Sequence, residues 1–450
     1  MWPTSNTLNL LLLGLIPLLW VLSGALRAPW RLATLKTVGT VTTWVGYHLS
    51  PWMAVLLGGE WESYLLREEY VDTGIAFSTL SMVAFVVGYS LFEHSKGRLP
   101  GIGIGEVPRV SRWTLVVTTI VVFIGFLIAI EHISDLWHAS VLRGDLDRGW
   151  RPRIGIVDKL FHIVRVLEPV AGFVLACMAS FYVIRSGGGM QSVGRGALGA
   201  LGLVVASLLG MWDFSRGAGS AFFVFSFLVV RFKGRRGLLL GAAAFLLAAT
   251  MGDTGYTARR AYPHSGLGHY VEAFADRVGL SRDEGADEPP LTPADNPLDA
   301  MAPWTLKARS YDQERPARLD MVLSFLWNLQ PLPSEFVPLR KIGDDLTVVA
   351  GTEGSAGITT PTLAECFFAF GWWGLFFLLP IGVIAAHVER IAWARKDVTG
   401  VVALVFACLA FLVGLHAGAR AFTRPFLYGY LVVWVGTYLR RARARAPTRQ

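Results

Sequence analysis

At 450 residues, 53% hydrophobic and only 16% charged, with a mean hydropathy of +0.47, the chain is not a soluble globular protein. Its net charge of +8 raises the question of nucleic acid, but in a membrane protein basic residues first report orientation. Cys177, Cys366 and Cys408 lie in or beside apolar runs without CxxC spacing, so neither a disulfide framework nor a zinc site is indicated.

Taken in order, the apolar runs read as membrane helices, each near the ~20 residues that cover a ~30 Å hydrocarbon core. Leu8 to Leu26 is the first, with neither a basic leader nor a small-residue cleavage site, so it is expected to be retained. Thr37 to Leu57 is the second, interrupted by His48 and Ser50-Pro51. Thr73 to Phe92 is the third, Thr114 to Ile130 the fourth and Leu160 to Ile184 the fifth. Ala197 to Trp212 and Gly217 to Val230 form a hairpin of two short spans pinched at DFSRG. A basic turn, RFKGRR, leads to the eighth span, Leu238 to Met251. A long polar segment follows, with helices expected at His269 to Val278 and Ala317 to Leu329 around an acidic, Pro-rich middle. The ninth span is Leu363 to Val388, closing at Glu389; the tenth runs Val398 to Leu415 and the eleventh Pro425 to Leu439.

The expected fold is therefore all-α: a polytopic integral membrane protein of about eleven transmembrane helices with a large extracytoplasmic cap. Its parts are spans 1–8 in residues 1–252, the cap in 253–362, spans 9–11 in 363–439 and a basic tail in 440–450. Lys and Arg crowd alternate connections, among them Arg27, Arg31 and Lys36, then Lys96 and Arg98, then Arg235 and Arg236, then Arg440 to Arg445. By the positive-inside rule these connections are cytoplasmic and the 253–360 segment lies outside. The tail is then an orientation signal beside anionic lipid.

Basic residues on the outer side are the informative ones, because orientation does not call for them. Arg216 sits at the DFSRG pinch, where its planar fork suits a phosphate or, alternatively, a salt bridge to Asp213. Arg165 and Glu168 lie one turn apart inside the fifth span, either a site or a self-satisfied pair. Arg259 and Arg260 stand beside Tyr262 and His264 at the start of the polar segment, a grouping suited to an anionic, sugar-bearing ligand. Arg318 flanks a helix that leads into WNLQPLPSEF. Arg420 and Arg424 close the last hairpin, where they bind substrate or lipid headgroups. His264 and His269 lack a third ligand, so no metal is expected. No Walker loop, HExxH or GxSxG is present, and no dinucleotide fingerprint has its βαβ context.

The stretch GTEGSAGITTPTLAECFFAFGWWGLFFLLPIGVI, Gly351 to Ile384, carries one carboxylate, Glu365, at the mouth of an apolar run. Its pattern Thr-Pro-x-x-Ala-Glu-x-x-x-x-Phe-Gly-x-x-Gly resembles the late motif of bacterial O-antigen polymerases, the oligosaccharide repeat-unit polymerases. DFSRGAGSAFF likewise resembles the Arg-Gly motif of their mid-chain helix. The resemblance implies a membrane glycosyltransferase without metal or nucleotide-sugar cofactor, acting on lipid-linked (undecaprenyl pyrophosphate) oligosaccharide units. Glu365 or His264 would serve as base, with Arg216, Arg259, Arg260 and Arg420 on the pyrophosphate. Implied partners are membrane lipids and chain-length regulators or other polysaccharide-assembly proteins, with no nucleic acid, and the implied site is the cytoplasmic (inner) membrane with catalysis facing outward. Taken alone, Glu365 is equally a helix-capping carboxylate. The rival readings are an O-antigen ligase and a lipid-linked polysaccharide transporter or flippase.

Overall fold

The computed structural model describes residues 5–49, 51–52, 68–96, 120, 172–186, 190–211, 219–261, 267–278, 322–323, 325–326, 329, 362–395, 398–415, 422–423, 425–427 and 429–430. Among them every regular element is helical and none is a strand. The chain divides into two units, one of residues 1–100, 289–395 and 403–450, the other of 101–288 and 396–402.

In the first unit, α1 (Ser5–Arg27) has no charged residue before Arg27 and runs through Pro17. A short 3-10 turn, Pro29–Ala33, reverses the chain into α2 (Leu35–Trp44), which Thr34 caps through Oγ1 accepting from the Thr37 N–H. Such caps stabilise a helix by about 1 kcal/mol. The second apolar run does not continue as one α-helix. Val45–Leu49 widens into a π turn, and His48 is fully buried with Nε2 2.8 Å from Thr79 Oγ1. The third run is α3 (Glu68–Lys96).

Contacts give these helices their directions. Asn6 and Thr7 on α1 donate to the Asp72 carboxylate at the head of α3, at 2.7 and 2.6 Å. Gly14 lies beside His48 and Thr79, so α1 and α3 run parallel. On α2, Lys36 Nζ meets Ser90 Oγ at 2.9 Å, Gly39 faces the Phe85 ring and His48 meets Thr79, so α2 runs the opposite way.

The ninth run is broken. It comprises α9 (Thr362–Phe370), a 3-10 stretch Gly371–Phe377 and α10 (Leu378–Arg395), where one continuous span was expected. Gly371 takes φ +57, a conformation open to glycine at little steric cost. Gly374 sits where a Cβ would be 3.0 Å from the Cys366 carbonyl and 3.2 Å from Phe77, so the bend folds back onto α9. The helix also continues past Glu389 to Arg395.

Backbone-to-backbone approach joins α3 to α10. A Cβ on Gly88 would stand within van der Waals distance of the Leu379 carbonyl, and one on Gly382 would strike the Phe85 carbonyl. Small residues at such crossings let helices pack without a hydrophobic drive from water. Gly374 by Phe77, Gly382 by Phe85 and His387 against Phe92 ascend together, so α3 and α10 are parallel. The tenth run is α11 (Val398–Leu409), ending in a π turn at Ala410–Gly414. Its Phe411 packs on Phe85, Phe422 and Phe426, while Gly429 approaches the Ala403 carbonyl, so the last described segment runs back along α11.

In the second unit, α4 (Gly172–Arg185) and α5 (Met190–Met211) form an antiparallel pair, with Gly199 against Val183 and Gly202 against Ala179. The hairpin of α6 (Ser220–Lys233) and α7 (Leu238–Ala261) closes through a 3-10 turn at Gly234–Gly237. Ser226 Oγ donates to the Gly241 carbonyl at 2.6 Å, and Gly219 abuts the Ala248 carbonyl. The basic RFKGRR segment thus makes the turn that its composition suggested. The amphipathic α8 (Leu267–Arg277) docks on α7 through Tyr270, whose hydroxyl donates to the Met251 carbonyl at 2.5 Å; burial pushes this phenol up.

Among the described residues, four stretches are long and apolar enough to cross a membrane: Asn6–Arg27, Asp72–Ser95, Ser220–Gly252 and Thr362–Ala394. The third is the folded-back hairpin of α6 and α7, so it does not cross as one rod. Outward faces carry apolar stripes at helical spacing: Leu12, Ile16 and Leu19 on α1, and Leu80, Val83, Val87 and Leu91 on α3. Stripes of this size facing outward belong in hydrocarbon, not water.

Candidate functional site

Of the carboxylates that the sequence singles out, Glu365 is the one with a described side chain. It stands in the first turn of α9, where the positive end of the helix favours an anion, and it is 7% exposed. Its turn is otherwise closed: Thr362, Leu363, Ala364 and Cys366 are all buried. Around the bend, Phe367 and Trp372 meet edge to face with ring centres 5.7 Å apart, and Phe77 of α3 lies 5.0 Å from Phe367. Phe325 packs edge to face on Phe370 and Phe377. The helix that carries Glu365 is therefore anchored through its aromatic side chains, Phe367 on Phe77 and Trp372, and Phe370 on Phe325.

Cys366 is buried beside it, donating to the Gly374 carbonyl at 3.4 Å. A thiol committed this way packs as a small hydrophobe and is no nucleophile. The three cysteines are all free and buried.

The other predicted residues are not brought together with Glu365 by any described contact. Arg165, Arg216, His264, Arg318, Arg420 and Arg424 lie outside the described residues. The backbone is helical through Arg259 and Arg260, extending α7 beyond the expected end at Met251, while their side chains lie outside the described set. Among the described residues no three His, Cys, Asp or Glu side chains cluster as a metal site would require.

A carboxylate that the sequence reading treated as a span terminus turns out to be central. Glu389 is fully buried. Its Oε2 accepts from the Leu35 N–H at 2.8 Å and from the Tyr89 hydroxyl at 2.7 Å, and its Oε1 from Trp393 Nε1–H at 3.3 Å. Leu35 is the first residue of α2, so Glu389 satisfies one of the N–H groups that a helix start leaves over. One side chain thus ties α10 to α2 and α3. A lone Glu within AAHVERIAW, spaced to point with Ala385 and Ala392 to one face, was the signal available.

Compared with models of protein families, with curated proteins and with solved structures, the chain matches none.

Proposed function

We propose that the chain is a membrane glycosyltransferase that polymerises lipid-linked oligosaccharide repeat units into a surface polysaccharide or O-antigen. The observation that carries this reading is Glu365: a buried carboxylate in the first turn of an apolar helix, within the motif that resembles the repeat-unit polymerases. In the reaction an acceptor sugar hydroxyl gives its proton to Glu365 while its oxygen attacks the anomeric carbon of the donor. The bond from that carbon to the lipid pyrophosphate breaks, and the pyrophosphate leaves with the electron pair. Arg216, Arg259, Arg260 and Arg420 are the proposed cations for that leaving group, and Arg165, Arg318 and Arg424 line the glycan path. His264 is the alternative base.

The proposed architecture has eleven spans in the cytoplasmic membrane, an outward-facing active site and residues 253–362 as cap. The parallel run of α3 and α10 supports the count, because two parallel crossings need an odd number of crossings between them, and the reading has five. Gene deletion with sizing of the surface glycan tests the function. Loss of long chains with single repeats retained is the expected result. Long polymer left unattached would favour a ligase, and lipid-linked units trapped inside would favour a flippase; either would overturn the polymerase.

A further inference from the structure

A cavity of about 410 Å³ opens between the end of α1, the Pro29–Ala33 turn, the start of α2 and the end of α3, within the roughly 300–1,000 Å³ of small-molecule sites. It is no part of the Glu365 neighbourhood. Along α3, Glu93 in its wall is sixteen residues from Phe77, about 24 Å at 1.5 Å per residue.

The wall carries three cations, Arg27, Arg31 and Lys36, against one carboxylate, Glu93. Lys36 Nζ lies 3.6 Å from Glu93 Oε2 and 2.9 Å from Ser90 Oγ, so that carboxylate is engaged. Burial pushes the Lys36 ammonium down, Glu93 opposes the shift, and Arg31 lowers it further by like-charge repulsion. Among the described residues neither Arg27 nor Arg31 has a carboxylate in salt-bridge range. Arg31 lies over the Trp30 ring at 5.6 Å, and its Nη1 would stand 3.4 Å from a Cβ on Gly24, so glycine leaves the fork room against α1. Trp20 and Tyr89 flank Lys36, each ring centre 5.6 Å from Nζ. A pocket with two positive charges that no carboxylate among the described residues matches is suited to an anion. The planar Arg forks suit phosphoryl oxygens.

The surroundings select a lipid as the source of that phosphate. The α1 face beside the cavity is apolar and outward: Leu19 is 59% exposed, Trp20 54% and Leu26 80%. Acyl chains can lie along it while the headgroup enters between the indoles, which favour the interfacial depth. We propose that this cavity binds the phosphate of an anionic lipid headgroup, with Arg27, Arg31 and Lys36 as its cations. The site is independent of the transferase reading.

The test uses the full chain released from nanodiscs, with bound lipid counted by native mass spectrometry. Phosphatidylglycerol is set against phosphatidylcholine, whose choline cation meets repulsion in this cavity. The wild type is expected to retain phosphatidylglycerol by about tenfold over phosphatidylcholine. The Arg27→Gln/Arg31→Gln double variant should lower that preference to about twofold or less. Glu93→Gln removes the competing anion and should raise retention, which a misfolded protein would not do. Inorganic phosphate at equal concentration should leave the lipid bound. Equal retention of the two lipids, a fall in Glu93→Gln, or full displacement by inorganic phosphate would each overturn the proposal, the last assigning the cavity to a soluble phosphate.

Discussion

Two glutamates stand in the same apolar stretch and live differently. Glu389 is fully enclosed and bound by a backbone N–H, a phenol and an indole from three helices. Glu365 occupies the start of a helix that ends at a glycine bend, 7% exposed, and Phe367 of that helix packs on Phe77 and Trp372. A carboxylate whose lone pairs are spent on joining helices makes a poor base, since every proton it accepts displaces a bond of the fold. Glu365 stands instead in a first helical turn, where the positive end of the helix favours its charge. Burial alone does not separate the two, since both are under a tenth exposed.

The sharpest way to break the comparison is Glu365→Gln. With Glu365 as base, turnover of purified enzyme should fall ~10²–10⁴-fold while the melting temperature stays put. Polymer length and rate at matched expression measure it. Near-normal polymer would reduce Glu365 to a cap worth at most about 1 kcal/mol and pass the base role to His264.

The counterpart is Glu389→Ala, which leaves the Leu35 N–H, the Tyr89 hydroxyl and the Trp393 N–H without their acceptor. Stability should drop by about 3 kcal/mol, from several buried donors orphaned at once. Thermal unfolding in detergent reads it, and an unchanged midpoint would show that the clamp is dispensable. Glu389→Gln should cost less, because the amide oxygen still accepts although its NH₂ faces donors.

Much of the helical layout was legible. Leu8 to Leu26 and Thr73 to Phe92 fall within α1 and α3, and the expected helix at His269 to Val278 overlaps α8, because long apolar or amphipathic periodicity survives into structure. The bend at Gly371 was not legible, since Phe-Gly-Trp-Trp-Gly is apolar throughout and hydropathy is blind to φ. The structure also gives the glycines of that motif a reason unrelated to chemistry: Gly371 supplies the positive φ and Gly374 admits the Cys366 carbonyl. Glu389 was misread as a terminus because a charge ends a hydropathy window whether it points to water or to a buried N–H. At the site, the place of Glu365 at the mouth of an apolar run was legible; the packing of its helix on Phe77 of α3 and Trp372 of the bend was not.

A smaller effect tests the frame holding both glutamates. Gly88→Val or Gly382→Val places side-chain atoms on the facing carbonyls of Leu379 or Phe85, so α3 and α10 must separate. Overpacking of this kind costs about 1–3 kcal/mol. Both variants should also disturb Glu389, whose Tyr89 bond spans the same crossing, whereas Glu365 beyond the bend should keep most of its activity. Equal loss of stability and turnover would show that the bend fails to insulate the two ends.

The smallest effect concerns the start of α2, where two acceptors share the work. Thr34 Oγ1 accepts from the Thr37 N–H at 3.3 Å and donates to the Arg31 carbonyl at 2.8 Å, while Glu389 takes the Leu35 N–H. Thr37 Oγ1 also donates to the Arg31 carbonyl, at 2.7 Å, so that carbonyl keeps a partner without Thr34. Thr34→Ala alone should therefore cost about 1 kcal/mol or less, at the low end for a lost cap. In a Glu389→Ala background the same change removes the second acceptor from one helix start. The double variant should then lose more than the sum of the two single losses, by roughly 0.5 kcal/mol or more, as groups sharing one network do. Strict additivity in a double-mutant cycle of unfolding free energies would mean that Glu389 holds α10 to α3 through Tyr89 and contributes nothing to the capping of α2.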